Sequence, residues 1–188
     1  MDNLVNIELD ILNSIQNIFK CSVCDSIFKY ITHLGDAGIV WIVTAVILLF
    51  FKKTRKTGIC MGIALLLGVF FGNLILKNII ARERPYTYED ARMTAESVSA
   101  LISLPHDYSF PSGHTLASFG SATAIFMNSK KYGIIAYIAA SLIAFSRMYL
   151  YVHFPTDILG GIILGIIFGV SSFYLTKKLF TRFEKKIS

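Results

Sequence analysis

The sequence predicts an all-α fold: a polytopic membrane helical bundle of about five spans, with an N-terminal amphipathic interfacial helix. Three observations predict it. Of 188 residues, 54% are apolar and 16% charged, and the mean hydropathy is +0.60, too oily for an ordinary soluble domain. Segments 58–76 and 158–175 run for 19 and 18 residues without a charge, enough to cross a bilayer at about 1.5 Å per residue. The Lys and Arg residues gather between the apolar runs, where cations act as a topology signal. Only 4 Pro accompany 13 Gly among abundant Ile, Leu and Phe, which excludes a disordered or collagen-like chain.

From the N-terminus, Leu4, Ile7, Ile11, Ile15 and Ile18 form an apolar stripe, with Asp2, Glu8 and Asp10 elsewhere on the helix. This reads as a helix lying in the membrane interface. With no basic n-region before a compact apolar core, it is not expected to be a cleaved signal peptide. Residues 38–51 are too short to span alone and must borrow from Ile31 to Ala37, which sets His33 and Asp36 near one interface. Segments 58–76, 113–128, 132–152 and 158–175 supply the other spans. Gly161, Gly165 and Gly169, like Gly68 and Gly72, recur every four residues and suit close helix packing. The chain divides into an N-terminal helix over 1–30, a membrane domain over 31–176 and a basic tail over 177–188.

Of the 18 cations, 11 lie in 52–56, 130–131 and 177–186, successive loops on one side of a five-span chain. This marks that side as cytoplasmic and places the C-terminus there. The opposite, extracytoplasmic side then carries the N-terminal helix, 77–112 and 146–157. The net charge of +6 therefore reads as topology and not as a nucleic-acid surface. Cys21, Cys24 and Cys60 are too few for a disulfide framework, and Cys21-x-x-Cys24 lacks a second ligand pair; all three are taken as structural.

Three polar groups interrupt the apolar pattern. Lys77 and Arg84, two helical turns apart, would share one face of a helix that Pro85 ends; alone they could be snorkelling cations. Pro111-Ser112-Gly113-His114 precedes a span and makes a helix N-terminus suited to an anion. Ser146-Arg147, His153 and Asp157 occupy the last turn before the final span, where the carboxylate can hold one ring N–H of His153 and leave the other nitrogen as a nucleophile or base. Fixed cations, helix N–H donors and two histidines are the inventory of phosphoryl transfer. Asp157 is the only acid in these motifs apart from Glu83, too few to hold Mg²⁺ or Zn²⁺, so no metal or cofactor is expected.

Lys77-x6-Arg84-Pro85, Pro111-Ser112-Gly113-His114 and Ser146-Arg147-x5-His153-x3-Asp157 resemble, in order and spacing, the three-part signature of the type 2 phosphatidic acid phosphatase superfamily, in all eleven specified identities. The likeness covers 77–157 and leaves the first 30 residues and the loop 86–110 uncovered. It implies a helical membrane phosphatase in which His153 attacks phosphorus, Asp157 orients it and His114 protonates the leaving group. Lys77, Arg84, Ser112, Gly113 and Arg147 are then expected to bind the phosphate. The family includes soluble vanadium haloperoxidases, an activity that five spans argue against. Among its membrane members the chain most resembles bacterial undecaprenyl pyrophosphate and phosphatidylglycerophosphate phosphatases. A plasma-membrane lipid phosphate, most of all undecaprenyl pyrophosphate, is the expected substrate, with phosphatidylglycerophosphate or phosphatidic acid as alternatives. A non-enzymatic transporter or scaffold would leave His114 and the His153/Asp157 pair idle. His33 and His106 are expected to be bystanders, Trp41, Tyr86 and Tyr88 interfacial aromatics, and 91–104 a short amphipathic helix. Nothing in the sequence sets the oligomeric state.

Overall fold

The structure, a computed structural model, describes residues 2–88 and 101–187. The described residues are helices and their connections: α1 (Asp2–Phe19), α2 (Ser22–Leu34), α3 (Ile39–Phe50), α4 (Arg55–Leu67), α5 (Lys77–Ile80), α6 (Gly113–Asn128), α7 (Lys130–Tyr149) and α8 (Pro155–Ile187). A π-helical stretch, Gly68–Leu76, joins α4 to α5 so that 55–80 forms one continuous rod. Three helical stretches, beginning at Arg55, Lys130 and Pro155, are long and apolar enough to cross a membrane, and α2 with 36–50, bent by 44°, makes a fourth.

The fifth transverse helix, α6, has only 16 residues, about 24 Å at 1.5 Å per residue. It can be short and carry Ser118, Ser121 and Thr123 because it packs against α4, α7 and α8, and Ser118 through Ile125 are all buried. The spaced glycines make that enclosure possible. A Cβ at Gly165 would come within 2.9 Å of Gly120 N, one at Gly169 within 2.4 Å of Thr123, and one at Gly72 within 2.2 Å of Leu116. Lipid-facing side chains surround this core, among them Phe50, Leu66, Ile79 and Ile138, all exposed.

The N-terminal segment forms two helices broken at Lys20–Cys21. Leu4, Ile7, Ile11 and Ile18 of α1 stay exposed, as a membrane-facing stripe requires, while Glu8, Leu9, Leu12 and Gln16 are buried against the protein. Cys21 caps α2, its Sγ accepting the Cys24 N–H at 3.2 Å, and Cys60 lies buried 3.1 Å from Ser172. All three thiols are free.

Several expectations are corrected. Lys77 and Arg84 do not share a helix face: α5 stops at Ile80, Ala81 turns left-handed (φ 47°), and Arg84 is extended, the conformation a following Pro favours. Trp41 is not interfacial but 5% exposed in the core, its Nε1 donating to Ser118 at 2.9 Å. Tyr86 and Tyr88 pack on the cluster around Phe154, and the Tyr86 hydroxyl donates to the Pro105 carbonyl. Of the stretch 91–104 only 101–104 lie within the described residues, and they are not helical.

The basic clusters share one end of the bundle: Lys56 Nζ sits 4.8 Å over the Phe180 ring, and Lys56, Asn128 and Lys177 border one pocket. The polar motifs occupy the other end.

Candidate active site

A cavity of about 380 Å³ opens at that other end, and Lys77, Arg84, Gly113, His114, Arg147 and His153 all line it. Ile42, Leu65, Val69 and Leu116 form its apolar wall. Residues from five separate stretches of chain thus meet around one space, with Asp157 packed behind it.

His153 is 1% exposed, in the tight connection between α7 and α8. Its Nε2 lies 3.2 Å from Arg84 Nη1. A guanidinium only donates, so Nε2 must be the unprotonated nitrogen and the ring proton sits on Nδ1. Nδ1 faces Asp157 Oδ2 and Ser109 Oγ, each at 3.5 Å. Burial, then the charges of Arg84, Arg147 and Lys77, hold this imidazole well below its ordinary pKa, so it is neutral.

Asp157 stands in the first turn of α8, which Pro155 opens. It reaches back to accept the Phe154 N–H at 2.8 Å, as a capping carboxylate does. Its Oδ2 also accepts from the Ser109 hydroxyl, and its Oδ1 from Arg82 Nη1 at 2.7 Å. Arg82 in turn pairs with Glu8 of α1 and lies 4.1 Å over the Phe154 ring. Glu8 is 2% exposed and also accepts from Thr156, N at 2.9 Å and Oγ1 at 2.7 Å. The N-terminal helix is thereby tied to the carboxylate behind His153.

The cations are placed by different means. Lys77, at the end of the π-helical stretch, is 7% exposed and pairs with Asp107. Arg84 donates to Asp107 O and Val152 O, both at 2.7 Å, and pairs with Asp107 Oδ1 at 2.7 Å. Burial would raise the Asp107 carboxyl, but hydrogen bonds and charges from Lys77 and Arg84 outweigh it and hold the group at about 2. Arg147, 3% exposed near the end of α7, donates to Thr32 Oγ1, while its Nε has no partner among the described residues.

Gly113 and His114 open α6, whose first N–H groups are the unsatisfied donors of any helix start. Ser112 caps the helix, its Oγ accepting from Thr115 Oγ1 at 3.0 Å, and its N–H donates to Asp157 O at 3.1 Å; it does not line the cavity. His114 Nε2 lies 2.9 Å from Asp36 Oδ1, and Asp36 Oδ2 lies 2.7 Å from His33 Nδ1. His33, expected as a bystander, is thus partnered by Asp36. His106 is exposed and borders a side cavity with Lys77 and Asp107.

Glu8, Asp36, Arg82, Asp107 and Ser109 join the site without belonging to any of the three motifs. Arg82 is two residues before Arg84, and Asp107 and Ser109 lie just ahead of Pro111, so proximity to the motifs was their only signal. Together the groups form a cationic pocket with helix N–H donors and an imidazole lone pair, an arrangement that can hold a tetrahedral anion against a nucleophile.

Residues 57–181 match the family model described as the PAP2 superfamily. An undecaprenyl-diphosphatase of Sulfolobus acidocaldarius is 36% identical over 127 residues, 67% of this chain and 58% of that protein. The undecaprenyl-diphosphatase BcrC of Bacillus subtilis is 30% identical over 148 residues, 79% of this chain and 72% of its own length. Among solved structures, a transmembrane PAP2-type phosphatidylglycerolphosphate phosphatase from Bacillus subtilis superposes with a TM-score of 0.69 at 26% identity, covering 100% of this chain and 89% of that one.

Proposed function

The chain belongs to the PAP2 superfamily, and on that premise we propose that it is an integral membrane phosphatase that hydrolyses a lipid phosphate, undecaprenyl pyrophosphate first among the substrates. The observation that carries the reading is the unprotonated Nε2 of His153, held at the wall of a cavity lined by Lys77, Arg84 and Arg147. That nitrogen attacks phosphorus as the bond to the leaving oxygen breaks, giving a phosphohistidine. His114 supplies the proton to the leaving oxygen and then takes one from the water that hydrolyses the intermediate. The three cations and the N-terminus of α6 at Gly113 and His114 stabilise the charge on the transferring group, work that needs no metal. Ser112 serves by capping that helix, and Asp157 fixes the imidazole.

The undecaprenyl assignment is supported by the two diphosphatase relatives and by an apolar cavity wall that a prenyl tail can follow into lipid. Phosphatidylglycerophosphate is the second reading, favoured by the likeness to the Bacillus phosphatase. The site faces outward, because the basic clusters lie at the opposite end of the bundle.

Phosphate release is the test. Detergent-solubilised protein is given undecaprenyl pyrophosphate, phosphatidylglycerophosphate and phosphatidic acid in EDTA, with His153→Ala as control. Release from the first above the others, absent in the variant, is expected. Binding without release would make the protein a carrier or scaffold, and dependence on added Mg²⁺ would sink the metal-free mechanism.

A further inference from the structure

We propose that the turn Gly35-Asp36-Ala37-Gly38 is a cradle for His114 and that Asp36 is a positioning residue that holds its ring for proton transfer. The proposal rests on the phosphatase reading above. Asp36 is 78 residues from His114 in the chain, yet its Oδ1 lies 2.9 Å from His114 Nε2. Its other oxygen, Oδ2, is 2.7 Å from His33 Nδ1, so the carboxylate is held from both sides.

The backbone is shaped to the same end. A Cβ on Gly35 would fall 2.5 Å from His114 Cδ2 and 2.9 Å from Ile143 Cγ2, so only glycine lets the imidazole lie against the chain here. Ala37 (φ 49°) and Gly38 (φ 68°) are consecutive left-handed residues. For alanine that conformation is strained, because it crowds the Cβ against the following carbonyl oxygen. The two residues bend the chain by 44° between α2 and α3 and present Asp36 to the head of α6. Gly35, Ala37 and Gly38 also line the cavity. A plain bend within one broken span needs neither the left-handed alanine nor a half-buried histidine ring against its glycine.

The pairing settles which nitrogen does the chemistry. With Nε2–H donating to Asp36, Nδ1 is the nitrogen that exchanges a proton; it has no hydrogen-bond partner among the described residues. In the first step the Nδ1 proton passes to the leaving oxygen as the P–O bond breaks, and Nε2–H stays on Asp36. In the second, Nδ1 takes a proton from the attacking water. The carboxylate gives Nε2–H a fixed acceptor, so the ring keeps one orientation through both transfers.

Because Asp36 acts through His114, its loss is bounded by that of His114→Ala, and both depend on how much the leaving group needs a proton. Asp36→Asn, Asp36→Ala, His114→Ala and the double variant Asp36→Asn/His114→Ala are compared by kcat/KM on a lipid phosphate and on 2,4-dinitrophenyl phosphate, whose leaving group departs unprotonated. Asp36→Asn is expected to lose about 10- to 100-fold on the lipid, less than the roughly 10²–10⁴-fold that a general acid contributes as a whole, and little on the aryl ester. Turnover of the aryl ester also reports that the variant is folded. Asp36→Ala, with no amide left to hydrogen-bond the ring, is expected to lose more on the lipid with the same selectivity. In the His114→Ala background Asp36→Asn is expected to change nothing further. With an active wild type, equal losses on both substrates in Asp36→Asn, or a full additive loss in the double variant, would overturn the assignment alone. A wild type that releases phosphate from neither substrate would overturn it together with the phosphatase reading.

Discussion

Asp107→Asn is expected to tighten the binding of phosphate-like anions. The Asp107 carboxylate spans the two cations that phosphate needs, with Oδ1 at 2.7 Å from Arg84 Nη2 and Oδ2 on Lys77 Nζ. An incoming tetrahedral anion must displace it. The side chain is 56% exposed, so water screens both pairs and each contributes about 0.5–1 kcal/mol, as exposed ion pairs do. Two such pairs oppose the anion by about 1–2 kcal/mol, which at 1.4 kcal/mol per tenfold is about 5- to 30-fold in affinity. Asparagine keeps the shape and removes the charge. The assay is the inhibition constant of orthovanadate, which adopts the five-coordinate geometry of the transferring group, against release of inorganic phosphate at fixed ionic strength. The constant should fall about 5- to 30-fold in the variant. The carboxyl is held at about 2, below the ordinary aspartate value, so it stays ionised until the pH falls through that range. The variant's advantage should therefore be the same at pH 5 as at pH 7. An unchanged or higher inhibition constant would refute the idea that Asp107 competes with substrate.

Glu8→Ala leaves the Thr156 N–H without its partner and Arg82 with Asp157 alone, a loss of about 1–3 kcal/mol; it should lower the melting temperature in detergent and reduce activity, and full stability in the variant would mean that α1 is not anchored there. The depressed pKa of His153 keeps the ring neutral until the pH falls well below 6.5, so in His114→Ala, assayed on 2,4-dinitrophenyl phosphate, kcat/KM should stay flat from pH 7.5 to 6; an acid limb at 6.5 or above would show that the nucleophile is not held neutral. Single cysteines at Lys53 and Lys178, in a background without Cys21, Cys24 and Cys60, should resist impermeant thiol reagents in intact cells while one at His106 reacts, and the reverse pattern would turn the site inward.

What the sequence by itself determined is what depends on local order. The helix over 113–128 is read with the bounds the structure gives α6, because a Pro-Ser-Gly start and a run free of Asp, Glu, Lys and Arg are properties of neighbours in the chain. The spaced glycines foretell the close packing of α6 on α8 for the same reason: a face is set by a helical period. The motif residues are legible as chemistry because their types and spacing already form the inventory of an anion site. Their convergence on one cavity was an inference that the fold had to supply, from stretches of chain as far apart as Lys77 and His153.

Only the tertiary structure decided which polar side chains pair. Glu8 and Arg82 lie 74 residues apart, Asp36 and His114 78 apart, Lys77 and Asp107 30 apart, and no periodicity links such positions. Glu8 looks like any polar residue on an amphipathic helix until burial against Arg82 and Thr156 singles it out. Trp41 passes for an interfacial aromatic until Ser118 on a neighbouring helix gives its N–H a partner. A charged or polar group inside a membrane protein must find its counterpart, since the cost of leaving it unpaired is several kcal/mol. Which counterpart it finds is fixed by how the helices pack, and that information resides in contacts across the bundle and not along the chain.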